Sequence, residues 1–228
     1  MTSIPNQAPA PEPHRPASPS PTLVHAALGD RTLLALLLRR TTPGADPERL
    51  AAALLDRFGS LGAVAGATPG ELARASSAGP AVPADLKLLR ELAIRLARED
   101  ACRRPVITSW TALVAYVRTA LAHEPREQFR ALYLDRRNSL LRDELVADGT
   151  VDHAPVYPRE VIRRALELSA SAMILVHNHP SGDPTPSRAD IDMTRQIVEA
   201  DRVLSLQVHD TLVVGRDGTA RFKCMGLN

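Results

Sequence analysis

Apolar residues recur at helical spacing through the first half of the chain and at strand spacing through the second. Leu33, Leu34, Leu37 and Leu38 make one face, and Leu50, Ala53, Leu54 and Phe58 make another, each with the three, four and seven spacing of an amphipathic helix. Thr68-Pro69-Gly70-Glu71 is a capping box with proline at the first helical position, and it opens a short helix through Ala75. A further helix is predicted from about Asp85, with Leu86, Leu89, Ala93 and Leu96 on one side. Residues 23–101 therefore read as a small all-α domain.

The pattern then changes. A helix over 109–121, with Trp110, Leu113, Tyr116 and Val117 as core positions, leads into a strand from Phe129 to Asp135. The turn Arg136-Arg137-Asn138-Ser139 and a second strand near Leu140 to Val146 complete a hairpin. Tyr157-Pro158-Arg159-Glu160 opens a helix through about Leu168, and Ala172-Met173-Ile174-Leu175-Val176 is a short continuous apolar run, the mark of a buried strand. A helix from Ser187 to about Asp201 follows, then strands at Leu204–Val208 and Thr211–Gly215 and a turn at Arg216-Asp217-Gly218. The order helix, strand, strand, helix, strand, helix, strand, strand implies an α/β fold, a mixed sheet flanked by helices.

Composition narrows the class. Residues 1–22 hold seven prolines and no periodic apolar face, so a disordered tail is expected there. Cys102 and Cys224 are far apart and form no Cys-x-x-Cys, which argues against a zinc ribbon or a disulfide framework. No apolar run is long enough to span a membrane, and no apolar segment follows a basic start, so the expected location is cytoplasmic, with no membrane partner. The net charge of +2 demands no nucleic-acid partner. Residues 101–142 nevertheless carry eight arginines against Glu124, Glu127 and Asp135, an excess that either tracks a phosphate backbone or forms a solvated face.

The chemistry concentrates at VHNHPSGDPTPSRAD, residues 176–190. Side chains alternate along an extended chain, so His177 and His179 point the same way and Asn178 points opposite. Ten residues separate His179 from Asp190, and three prolines stiffen the loop between. Two imidazoles and a carboxylate would leave a fourth tetrahedral zinc position open, the layout of a catalytic zinc site. Ser187-Arg188-Ala189-Asp190 also has the form of a helix cap, which is compatible with Asp190 as ligand because it holds that residue in a first turn facing the strand end. Asp183 is the competing carboxylate.

His-x-His, ten residues and Asp, with Ser three before the Asp, resembles the JAMM (MPN-plus) metalloprotease signature, and HNHPSG…PS..D resembles the bacterial RadC family. A zinc deaminase would need His-x-Glu with a downstream Cys-x-x-Cys, and a His-x-His-x-Asp-His hydrolase would need Asp where Ser181 stands. The resemblance covers nearly all of residues 28–228. It implies a JAMM, cytidine-deaminase-like architecture over 106–228, Zn2+ as cofactor, and hydrolysis of a peptide or isopeptide bond in a protein or peptide substrate. It also makes Glu127 the general base, with Glu160 as the competitor, and gives Ser187 an oxyanion-binding role beside its capping one. In the helical part, the phrase Arg57-Phe58-Gly59-Ser60-Leu61 resembles the segment preceding a helix-hairpin-helix element in RadC proteins. The hairpin position, residues 76–83, keeps only Gly79 and contains Pro80 and Pro83, where a phosphate-binding hairpin needs glycines and free amides. Tyr157, Asp210-Thr211 and the segment from Phe222 to Gly226 depart from the RadC pattern without touching the proposed site. The alternative function is a DNA-associated repair or recombination accessory protein with a structural or vestigial metal site, bound through the helical part and Arg103, Arg104, Arg136 and Arg137.

Overall fold

A computed structural model describes residues 27–76, 79–106, 108–149, 156–202 and 204–227, so the expected tail at 1–22 and two hairpin residues, Ser77 and Ala78, lie outside the described residues. Among the described residues five helices come first: α1 (Asp30–Leu38), α2 (Pro47–Phe58), α3 (Leu61–Gly66), α4 (Pro69–Ala75) and α5 (Ala81–Cys102). Polar caps set several of their starts. Asp46 accepts from the amides of Glu48 and Arg49 at α2, Ser60 from Ala63 at α3, and Thr68 and Glu71 form the reciprocal capping box expected at α4. Leu34, Leu38, Ala51, Leu54, Val64, Leu72, Val82 and Leu86 make one buried cluster.

Four features differ from the periodicity reading. Six-residue α3 was absent from the periodicity, being too short to show a face. The inner face of α2 runs through Ala51 and Leu54, with Ala53 exposed. Helix α5 begins at Ala81 rather than Asp85, because Pro83 falls in the first turn, where a missing amide costs nothing. Only the first part of its predicted face is buried: Leu86 is covered, whereas Leu89 and Leu96 are 44% and 58% exposed.

Helix α6 (Trp110–Leu121) leads to β1 (Glu127–Leu134) and β2 (Leu140–Gly149), then α7 (Pro158–Glu167), β3 (Ala172–Asn178), α8 (Arg188–Arg202), β4 (Gln207–Val214), β5 (Thr219–Arg221) and the one-turn α9 (Phe222–Met225). The sheet order is β2-β1-β3-β4-β5, antiparallel throughout except for the parallel β3–β4 pair joined through α8. Every residue of β3 is buried, as its unbroken apolar run requires for a central strand covered on both faces. Even-numbered β3 residues Ile174 and Val176 pack with Leu113, Tyr116, Val117 and Leu121 of α6. Odd-numbered Met173 and Leu175 pack with Val161, Ile162 and Ala165 of α7 and Ile197 of α8.

The hairpin turn is closed by Asp135, whose side chain accepts from the amides of Arg137 and Ser139, and by Asn138 in the left-handed region at φ 60°. The two strands expected at Leu204–Val208 and Thr211–Gly215 are instead one strand, β4, and the final strand lies beyond the turn. The polar pair His209-Asp210 interrupts the apolar pattern without breaking the strand, because buried Asp210 accepts from the Thr211 amide, the Lys223 amide and Arg221 Nε. Arg90 of α5 joins the helical part to the sheet part, donating to Ala120 O at 2.7 Å and pairing with Glu124 at 2.6 Å.

Candidate metal centre

The site lies where β3 runs out. Strand alternation sends His177 and His179 to the α8 side of the sheet and Asn178 to the α6 side. There Asn178 Oδ1 accepts from the Gln128 amide at 2.9 Å, and its Nδ2 donates to Arg126 O at 3.0 Å. This buried amide ties the start of β1 to the end of β3. Phe129 pairs with His177 across those strands, its ring stacked on the imidazole at 6.1 Å between centroids. Glu127 lies two residues before Phe129 on β1, so strand alternation puts its side chain on the same face of the sheet as Phe129, the face that carries His177.

Asp190 arrives from the first turn of α8. The amide of Ser187 donates to its Oδ2 at 2.6 Å, and its own amide donates to Ser187 Oγ at 3.2 Å, so the expected cap forms and orients the carboxylate. Asp190 Oδ1 lies 3.2 Å from His177 Nε2, and Oδ2 lies 3.3 Å from His179 Nε2. One ligand atom from each of the three residues falls within 4.8 Å of the others. Burial works against the charge on Asp190, but the two imidazoles and the Ser187 contact outweigh it and hold the carboxyl far below the usual range. The Asp190 contact, opposed by burial and aided by the Asp183 carbonyl and the charges of Asp190 and Glu127, pushes His179 up.

These donors fit a zinc ion. Two imidazole nitrogens and a carboxylate are the donor types zinc takes, and one such atom from each residue lies within 4.8 Å of the other two. Among the described residues both ring nitrogens of buried His177 lack a hydrogen bond of acceptable direction, and coordination would satisfy one of them. His179 Nδ1 lies 2.9 Å from Asp183 O, and because a carbonyl only accepts, this contact puts the proton of the neutral ring on Nδ1 and makes Nε2 the nitrogen that would face a metal.

The competing carboxylates are engaged elsewhere. Asp183 Oδ1 accepts from the amide and hydroxyl of Thr185, and Glu160 pairs with Arg163 at 3.0 Å and Arg159 at 3.4 Å. In the arginine-rich stretch, Arg103 pairs with Glu99, Arg126 with Asp148 and Arg130 with Asp143. Trp110 packs against the core with Arg221 over its ring at 4.1 Å. Sequence reasoning missed the stacking of Phe129 on His177, which follows from strand register rather than from any local signal.

A mixed five-stranded sheet with His-x-His at the end of its central strand and Asp at the start of the next helix defines a JAB-type fold. The chain belongs to the RadC family: the RadC-like JAB domain matches it over residues 107–227. It is also similar to a UPF0758 protein of Rhodobacter capsulatus, 55% identical over 201 residues that cover 88% of this chain and 94% of that relative. Among the described residues, no helix is long and apolar enough to cross a membrane.

Proposed function

We propose that the protein is a zinc-dependent hydrolase of peptide or isopeptide bonds, with His177, His179 and Asp190 as metal ligands, Glu127 as general base and Ser187 as oxyanion donor. The observation that carries this reading is the convergence of one donor atom from each of His177, His179 and Asp190 within 4.8 Å of one another, around a buried His177 whose ring nitrogens have no hydrogen-bond partner among the described residues. A bound zinc ion supplies a Lewis acid that polarises a carbonyl and acidifies water. Glu127 stands on the same sheet face, outside the ligand set, and takes the proton of the attacking water, then delivers it to the leaving nitrogen. Ser187 Oγ accepts from the Asp190 amide and keeps its own hydrogen to donate to the tetrahedral oxyanion.

Elemental analysis of the purified wild type beside His179→Ala tests the site. About one zinc per chain in the wild type and little in the variant is expected for a three-ligand centre. No zinc in either after reconstitution removes the proposal. In a peptide or isopeptide cleavage assay, Glu127→Gln retains the metal and loses on the order of 10²–10⁴-fold in rate, the scale of general-base catalysis.

A further inference from the structure

The loop between β3 and α8 is held from outside by the turn that follows β4. Asp217 donates its amide to Gly182 O at 3.1 Å, and Gly215 approaches so closely that a Cβ there would stand 2.0 Å from the same oxygen. Gly182 itself has φ +105°, and a Cβ at that position would meet Arg216 Nε at 3.2 Å. Arg216 Nη2 donates to Ser181 O at 2.8 Å and to Pro180 O at 3.3 Å. The carbonyls of 180, 181 and 182 are thus all taken by residues 216 and 217, and the next carbonyl, Asp183 O, receives His179 Nδ1. The backbone of Arg216 is held in turn, its carbonyl accepting from Arg118 of α6 at 3.4 Å.

We infer that Arg216 is a positioning residue of the metal centre: by bridging the carbonyls of Pro180 and Ser181 it holds the loop in the shape that brings Asp183 O to His179 Nδ1, and so presents Nε2 to the metal. This rests on the metal-site reading above. Partners beyond the ligands fix tautomer and ring direction, and their loss commonly weakens metal affinity by about 10–100-fold. The Arg216 side chain is exposed and stands in a surface turn, so its removal frees the loop without emptying the core. Lysine in its place retains one donor group without the planar fork.

The test titrates cobalt(II) into metal-free full-length wild type, Arg216→Ala and Arg216→Lys, following visible absorption and chelator competition, with thermal unfolding and amide exchange of the metal-free proteins alongside. Expected are an affinity about 10–100-fold weaker for Arg216→Ala, an intermediate value for Arg216→Lys, an unchanged metal-free melting temperature, and faster exchange of the Gly182 and Asp217 amides. Wild-type cobalt uptake with unchanged affinity in Arg216→Ala overturns this inference alone, as does a weaker affinity matched by a fall in metal-free stability that lysine does not rescue. A wild type that takes up no cobalt overturns the metal reading, and this inference with it.

Discussion

Asn178 belongs to the metal motif by sequence and to the opposite side of the sheet by structure. Its carboxamide serves the Gln128 amide and the Arg126 and Glu124 carbonyls, and so ties the chain around the start of β1, with Glu127 in it, to the end of β3. Asn178→Ala leaves these backbone groups without their partner, and urea unfolding should show a loss of about 1–3 kcal/mol, the cost of unsatisfied buried groups. Asp201 offers a second test at this level. It is buried, its Oδ2 accepts from the Val208 amide, and its Oδ1 has no partner among the described residues, so burial raises its pKa despite that one hydrogen bond. A carboxyl whose folded pKa is raised contributes stability below its unfolded value near 3.8, and loses it as pH climbs through the folded value. Asp201→Asn should therefore be more stable than wild type at pH 7, with the gap closing as both are taken toward pH 3, read by denaturant unfolding across that range.

Among the elements, α3 is built for contact. Gly62 and Gly66 lie one turn apart, and the His123 segment that follows α6 rests against them: a Cβ on Gly62 would stand 2.3 Å from His123 Nε2, and one on Gly66 would stand 2.6 Å from His123 Cβ and 2.7 Å from its carbonyl oxygen. The first contact is with the end of a side chain that can swing, the second with backbone that cannot. Gly66→Ala should cost about 1–3 kcal/mol by overpacking, and Gly62→Ala less, when the two are compared by thermal unfolding. Lys87 braces the same helix from α5, donating to the carbonyls of Ala65 and Gly66 at 3.0 Å each. Such packing explains why so short an element persists: tertiary contact, rather than intrinsic propensity, holds it.

For the molecule as a whole, the proposed ligands come from a strand end and a helix start that are adjacent only once β3 and α8 have docked. Zinc binding to this arrangement is therefore linked to folding. At free zinc about 100 times Kd the native state should gain about 2.7 kcal/mol, and the melting temperature should rise accordingly. His177→Ala, lacking the buried ligand, should show no such rise in the same thermal scans with and without zinc.

The grouping of His177, His179 and Asp190 was legible because its parts are local: His-x-His shares a face by strand alternation, and Ser187 and Asp190 lie within one helical turn. The capping box at Thr68, the hairpin at Asp135–Ser139 and the buried run of β3 were legible for the same reason, since neighbours within four residues supply their hydrogen bonds or their periodicity. Glu127 drew its weight from family resemblance, and only the pairing of Phe129 with His177 puts it on the sheet face that carries the proposed ligands. Which leucines of α5 are covered, whether His209-Asp210 ends a strand, and what holds Pro180 to Gly182 were decided by residues far along the chain: Arg216 reaches carbonyls 35 and 36 positions away. A short-range pattern encodes what a segment can form; where its polar groups find partners depends on which distant segments the fold brings against it.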